Sequence, residues 1–192
     1  MEFIETPLEG LWKIKLTARE DDRGYFKRTY DEEVFAKRGL QTQWVQENQS
    51  LSVQKGTVRG LHFQRPPHCE TKLVRALSGS LLDVVVDLRA GSRTYGMHYS
   101  AELSATNRLC LYIPKGFAHG FCTLQPDSIL AYKVDHAYTP QAEGGLLWCD
   151  RLLQIDWPFS GEPSCISSKD QLWPTLDAVL PLNLAGNLRR AA

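Results

Sequence analysis

Ile113-Pro114-Lys115-Gly116-Phe117-Ala118-His119-Gly120-Phe121 reads as a strand end, a turn built by proline and glycine, and a second strand that begins at His119. Outward from it the chain keeps one pattern, short β-type runs separated by Gly, Pro, Asn or Asp. Candidate strands are 11–16, 44–53, 58–64, 72–77, 81–88, 97–103, 109–113, 120–124 and 129–137, without internal repeats or low-complexity tracts. This predicts an all-β sandwich or barrel with a few short peripheral helices. One helix is expected near 29–39, with Thr29 as its cap, Glu32 completing a capping box, Val34 and Phe35 as an apolar patch and Gly39 as its stop. After Pro158 a Pro/Ser-rich segment should pack over the β core, with a short helix started by Ser167 or Ser168 and carrying Lys169 and Asp170. The reading is one domain over 1–185 and a frayed tail over 186–192.

Composition narrows the function. At 192 residues the chain can bury one core and is too short for two comfortable ones. Its 22 basic and 22 acidic residues cancel, so no net field draws it onto nucleic acid or an anionic membrane, and a general polyanion binder is excluded. The longest apolar run, 81–88, is broken by Asp83 and Asp87 and is far below the roughly 20 residues of a membrane span. Glu2 and Glu5 stand where a secretory signal wants a basic and then an apolar stretch. Cys69, Cys110, Cys122, Cys149 and Cys165 are scattered with no Cys-x-x-Cys pair, which fits reduced structural thiols in a cytoplasm.

Two stretches carry candidate chemistry. In Arg59-Gly60-Leu61-His62-Phe63-Gln64, strand alternation puts Gly60, His62 and Gln64 on one side and Arg59, Leu61 and Phe63 on the other. His62 alone could be a core imidazole bonded to a carbonyl. The other stretch is the opening one, whose Pro-x-Gly-x-x-His could be a tight turn with an incidental histidine. It also resembles the second motif of cupin-type jelly rolls, where the histidine faces the barrel interior. A metal version would need ligands converging on one wall, and His62, His68, Glu70 and His119 are the candidates for a metal-dependent cupin oxygenase or isomerase. Pro66-Pro67 interrupts the strand between the first two, so no metal is expected. Without a metal, a cavity holding imidazole, ammonium and phenol can run proton transfer beside a carbonyl. His62 would be the base, Lys72 the enolate stabiliser and Tyr132 the acid.

Together, 59–64, Lys72-Leu73-Val74-Arg75, 83–89, 113–121 and Ile155-Asp156-Trp157-Pro158 resemble the dTDP-4-dehydrorhamnose 3,5-epimerase family, in the same order over roughly 10–180. The resemblance implies a cupin-like jelly roll, usually a homodimer with crossing terminal strands, and cofactor-free epimerisation of a nucleotide-linked 4-keto-6-deoxy sugar. It implies that His62 abstracts the proton, Asp170 orients it, Tyr132 donates from the opposite ring face, and Lys72 lies near the C4 oxygen with Asp83 as its partner. His119 would contact substrate. Apart from the resemblance, Tyr138 is the nearest substitute phenol in the sequence should Tyr132 not be the donor. Arg23, Gln46, Asn48, Arg59, Glu143 and Lys169 would hold the nucleotide end. Two positions depart from the family pattern: Glu47 replaces the usual Asp, and Arg28 replaces a Glu that helps read the nucleotide. A donor-only guanidinium in place of a carboxylate favours a different base edge. A CDP- or GDP-linked 4-keto sugar, inverted at one position or ketoisomerised, is therefore the alternative substrate class. A non-catalytic binding module is disfavoured, because a binder needs no base and acid together.

Overall fold

The computed structural model describes residues 1–184, so the tail expected over 186–192 lies outside the described residues. The strands are β1 (Glu2–Glu5), β2 (Trp12–Lys15), β3 (Ala18–Asp21), β4 (Gly24–Lys27), β5 (Gln46–Ser52), β6 (Val58–Gln64), β7 (Lys72–Ser78), β8 (Ser80–Asp87), β9 (His98–Ser104), β10 (Leu109–Ile113), β11 (Phe117–Thr123), β12 (Ser128–Val134) and β13 (Glu143–Gly145). They form a six-stranded sheet, ordered β1-β2-β10-β7-β12-β5, a five-stranded sheet, ordered β13-β6-β11-β8-β9, and a separate β3-β4 hairpin. The two large sheets face each other as a β-sandwich.

Hydrophobic pattern explains the layers. On β8, Leu81 and Val85 join an inner cluster with Val74, Leu111, Phe121 and Leu130 from both sheets, while Val84 and Val86 point outward. The outward pair is covered by Leu153 and by Val179 and Leu182 of the C-terminal segment, which packs over the core as expected. A sheet covered on both faces needs apolar residues at nearly every position, and β8 and β11 are buried along almost their whole lengths. The outer face of the six-stranded sheet is covered by α1 (Glu32–Ala36), whose Phe35 is fully buried edge-on against Phe3, Tyr30 and Tyr112. Truncating Phe35 to alanine would cost about 4 kcal/mol, the usual range for a buried aromatic.

Several local expectations need correction. Asp31, not Thr29, caps α1, because its carboxylate accepts the Val34 N–H at 3.2 Å. Gly39 does end the helical turn, at a φ of +66° that a side chain would resist. β11 begins at Phe117, so His119 stands mid-strand between two inward phenylalanines rather than at a strand start. Ser167 starts only a single 3-10 turn, Asp170–Leu172. The short strands β1, β3, β4 and β13 lie outside the expected strand ranges.

Alternation on β6 fails at Gly60. His119 pairs with His62 and Phe121 with Arg59, so β11 spends two steps where β6 spends three. This bulge brings Arg59 onto the same inner side as His62. Gly60 sits at a φ of +114°, and a Cβ there would lie 2.7 Å from the Gly120 Cα. A Cβ on Gly120 would lie 2.6 Å from the Arg59 carbonyl oxygen. The bulge therefore requires both glycines.

Candidate active site

Beside the inner apolar cluster lie two adjoining cavities of about 820 and 490 Å³, and His62, Lys72, Tyr132 and Lys169 line both. His62 projects from β6 in the five-stranded sheet, whereas Lys72 and Tyr132 come from β7 and β12 in the six-stranded sheet. The imidazole and the phenol thus enter the cavity from opposite layers.

Asp170 reaches His62 across 108 positions of chain, with Oδ1 2.6 Å from the imidazole Nε2. Its place is fixed by the 3-10 turn, where the Asp170 N–H donates to Ser167 Oγ at 3.1 Å. The carboxylate also accepts the Gly60 N–H freed by the bulge, at 3.2 Å, and the Trp173 indole N–H, also at 3.2 Å. Burial alone would raise the Asp170 pKa, but these donors and the neighbouring imidazole outweigh it and hold the carboxyl below its ordinary value. An ionised carboxylate can only accept, so Nε2 carries the hydrogen and Nδ1 is the basic nitrogen. Trp173 packs edge-on to His62, in room left by Gly145, where a Cβ would lie 2.4 Å from the indole.

Tyr132 is built to hold its proton. Burial and then the charge of Glu70 push its pKa up, against a smaller lowering by Arg59. Lys72 Nζ lies 5.8 Å from the Tyr132 ring centroid. The partner of Lys72 is Glu70, at 3.1 Å, and not Asp83. Asp83 is fully buried and engages His119 Nε2 at 2.8 Å instead, because β8 alternation turns it inward toward β11.

The remaining predicted residues divide. Arg59 is tied to the β5 edge through Ser52 Oγ at 3.0 Å and the Leu51 carbonyl at 2.9 Å, and it lines the larger cavity. Gln46, Asn48, Tyr138 and Glu143 line the smaller one. Glu143 accepts from Lys169 at 2.7 Å and from the Tyr138 hydroxyl at 3.1 Å. Burial pushes its pKa up, and these two partners bring it below the ordinary value. Glu47 lies outside both cavities and pairs with Lys133 at 2.8 Å, since alternation on β5 turns it away from its neighbours Gln46 and Asn48. Arg23 is exposed and bound to Asp21, and Arg28 to Asp31, both pairs at 2.6 Å. Arg28 borders a separate cavity with Arg19 and Phe26, so a single chain does not bring either arginine to His62. His68 packs edge-on against His136, and no three His, Cys, Asp or Glu side chains converge as a ligand set among the described residues. Sequence reasoning misses Trp173, whereas Ser167 starts the turn that carries Asp170 as expected. Trp173 had a signal, its spacing of three from Asp170 in a turn-forming segment.

Comparison with known proteins matches this geometry. The family model for dTDP-4-dehydrorhamnose 3,5-epimerase matches residues 5–178. The dTDP-4-dehydrorhamnose 3,5-epimerase of Salmonella typhimurium is 44% identical over 181 residues, covering 94% of this chain and 98% of that protein. The Bacillus anthracis enzyme of that name, crystallised with TDP and PPi bound, superposes with a TM-score of 0.87 at 42% identity, covering 91% of this chain and 98% of that one. A 4-keto-6-deoxy sugar epimerase from the novobiocin cluster of Streptomyces spheroides superposes with a TM-score of 0.90 at 37% identity, covering 96% and 94%. With a cupin-like sandwich and a carboxylate-backed histidine facing a phenol, and with relatives this similar over nearly their whole lengths, the chain belongs to the dTDP-4-dehydrorhamnose 3,5-epimerase family.

Proposed function

We propose that the protein is a cofactor-independent isomerase that epimerises a nucleoside-diphosphate-linked 4-keto-6-deoxyhexose. The observation that carries this is the pair of groups facing each other across one cavity, a carboxylate-backed imidazole on one sheet and a proton-holding phenol on the other. The C4 ketone acidifies the protons on its neighbouring carbons. His62 Nδ1 removes one, the Lys72 ammonium stabilises the enolate oxygen, and Tyr132 returns a proton to the opposite face. Lys169, Gln46, Asn48 and Glu143 line the smaller cavity, which takes the nucleotide end, and Arg59 lines the adjoining larger one.

The working form is a homodimer on this reading. The exposed β3-β4 hairpin carries Arg23, Tyr25 and Phe26, with Arg28 directly after it, and all four have surface to offer a partner's nucleotide site. The site of action is the cytoplasm, where five unpaired thiols persist. No helix among the described residues is long and apolar enough to cross a membrane.

The test is deuterium wash-in from D2O, counted at C3 and C5 by mass spectrometry, with dTDP-, CDP- and GDP-linked 4-keto-6-deoxyglucose. Wash-in at both carbons is expected, and its absence with all three sugars overturns the reading. Tyr132→Phe should keep wash-in while blocking net inversion, because removal and return of the proton would then occur on one face. Inversion at the wild-type rate would assign the donor role to another group, with Tyr138 the nearest phenol along the chain.

A further inference from the structure

Lys72 is nine-tenths buried, and an ammonium so placed needs a fixed counter-charge. Glu70 provides it two residues earlier, with Oε1 3.1 Å from Lys72 Nζ and a side chain only 13% exposed. Its other oxygen, Oε2, accepts the Gln64 amide N–H at 3.0 Å. Gln64 is itself pinned, since its carbonyl oxygen accepts the Thr139 N–H at 2.6 Å and its amide also reaches the His68 carbonyl at 3.1 Å. The carboxylate is thus a bridge with one end anchored in the β6 scaffold and the other on the cation at the cavity wall.

We propose that Glu70 is a positioning residue for the epimerisation: it fixes the Lys72 ammonium beside Tyr132 and sets the charge environment in which that phenol gives up its proton. The inference rests on the epimerase reading given above and adds a residue that acts through two others.

The surroundings of Tyr132 single out Glu70. From the five-stranded sheet, Arg59, His62 and His119 line the larger cavity with Tyr132. The histidines are occupied by Asp170 and Asp83. From β13 and the C-terminal segment, Glu143 and Lys169 neutralise each other. From its own sheet Tyr132 meets Lys72, and the neutral Asn48 stands opposite it on β5. Glu70 lines the smaller cavity together with Lys72 and Tyr132, and its charge there pushes the Tyr132 pKa up.

The experiment compares Glu70→Gln, which keeps the shape and removes the charge, with wild type. Expected are a kcat lowered about tenfold with KM nearly unchanged, and an alkaline limb of kcat displaced to lower pH by about one pH unit. Glu70→Asp should return the limb toward its wild-type position. A Glu70→Gln enzyme with wild-type kcat and an unmoved limb overturns the proposal. A readout independent of turnover is the titration of the Tyr132 13Cζ NMR signal, assigned by its loss in Tyr132→Phe. Its midpoint should fall in Glu70→Gln and rise in Lys72→Met, where the carboxylate acts without its cation. Midpoints that stay together in all three proteins overturn the proposal, even if Glu70→Gln alone folds poorly. Failure of every sugar to exchange would instead count against the epimerase reading, leaving the NMR midpoints to decide the role of Glu70.

Discussion

Two histidine–carboxylate pairs stand across from each other on β6 and β11, where His62 and His119 are register partners. Both use Nε2, at 2.6 Å to Asp170 and 2.8 Å to Asp83. Their surroundings separate them. The His62 side chain is 32% exposed to the cavity, and its carboxylate also receives the Gly60 and Trp173 N–H groups. The His119 side chain is 7% exposed, and Asp83 Oδ1 meets no donor among the described residues. The same two groups can therefore make a base that reaches substrate or a buried bond that mainly holds a wall, depending on which ring nitrogen meets open space and how completely the carboxylate is satisfied.

The sharpest test of that contrast is to remove each ring in turn. His62→Gln should reduce exchange about 10^3-fold, as expected for loss of a general base, whereas His119→Gln should cost about tenfold, mostly in KM. Equal losses would show that the two pairs act as one unit. At the level of the carboxylates, Asp170→Asn should lower kcat about 10^2-fold because the tautomer of His62 is no longer imposed. Asp83→Asn should instead appear in denaturant unfolding, as a loss of about 1–3 kcal/mol from a buried bond.

The pH dependence carries a sign. The Asp170 pKa is lowered on folding, so its contribution to stability is full above the ordinary carboxylate value and disappears as pH falls through the folded value. The stability gap between wild type and Asp170→Asn should be constant near neutrality and close only in acid. The smallest expected effect is Trp173→Phe, which removes one of the donors to Asp170 and should lower kcat about threefold, the scale of a single hydrogen bond. A larger drop would mean that the indole also orients the imidazole through its edge contact.

How far the sequence could be read follows from the range over which each signal acts. β6 and β10 lie where the periodic pattern put them to the residue, because turn formers bound each run. β3 and β13 have four and three residues, too few to show a period, and exist because a neighbouring strand supplies their hydrogen bonds. The bulge at Gly60 is a property of two paired strands, so single-strand alternation placed Arg59 on the wrong side. Asp170 has no local mark linking it to a histidine 108 positions away and was reachable only through family resemblance. The Lys72 partner was different, since a spacing of two puts Glu70 and Lys72 on one side of an extended chain. Asp83, in contrast, enters as the Lys72 partner only through the family resemblance.

The close approach of Gly60 and Gly120 bears on how this pocket can change over generations. Each position already carries the smallest residue available, so damage at one offers the other nothing left to trim, and no second-site suppressor can arise within the contact itself. The spacing between β6 and β11 at this point is consequently set by main chain alone. New substrates must be accommodated by altering the far wall, on β5, β7 and β12, while the β6–β11 seam stays as it is.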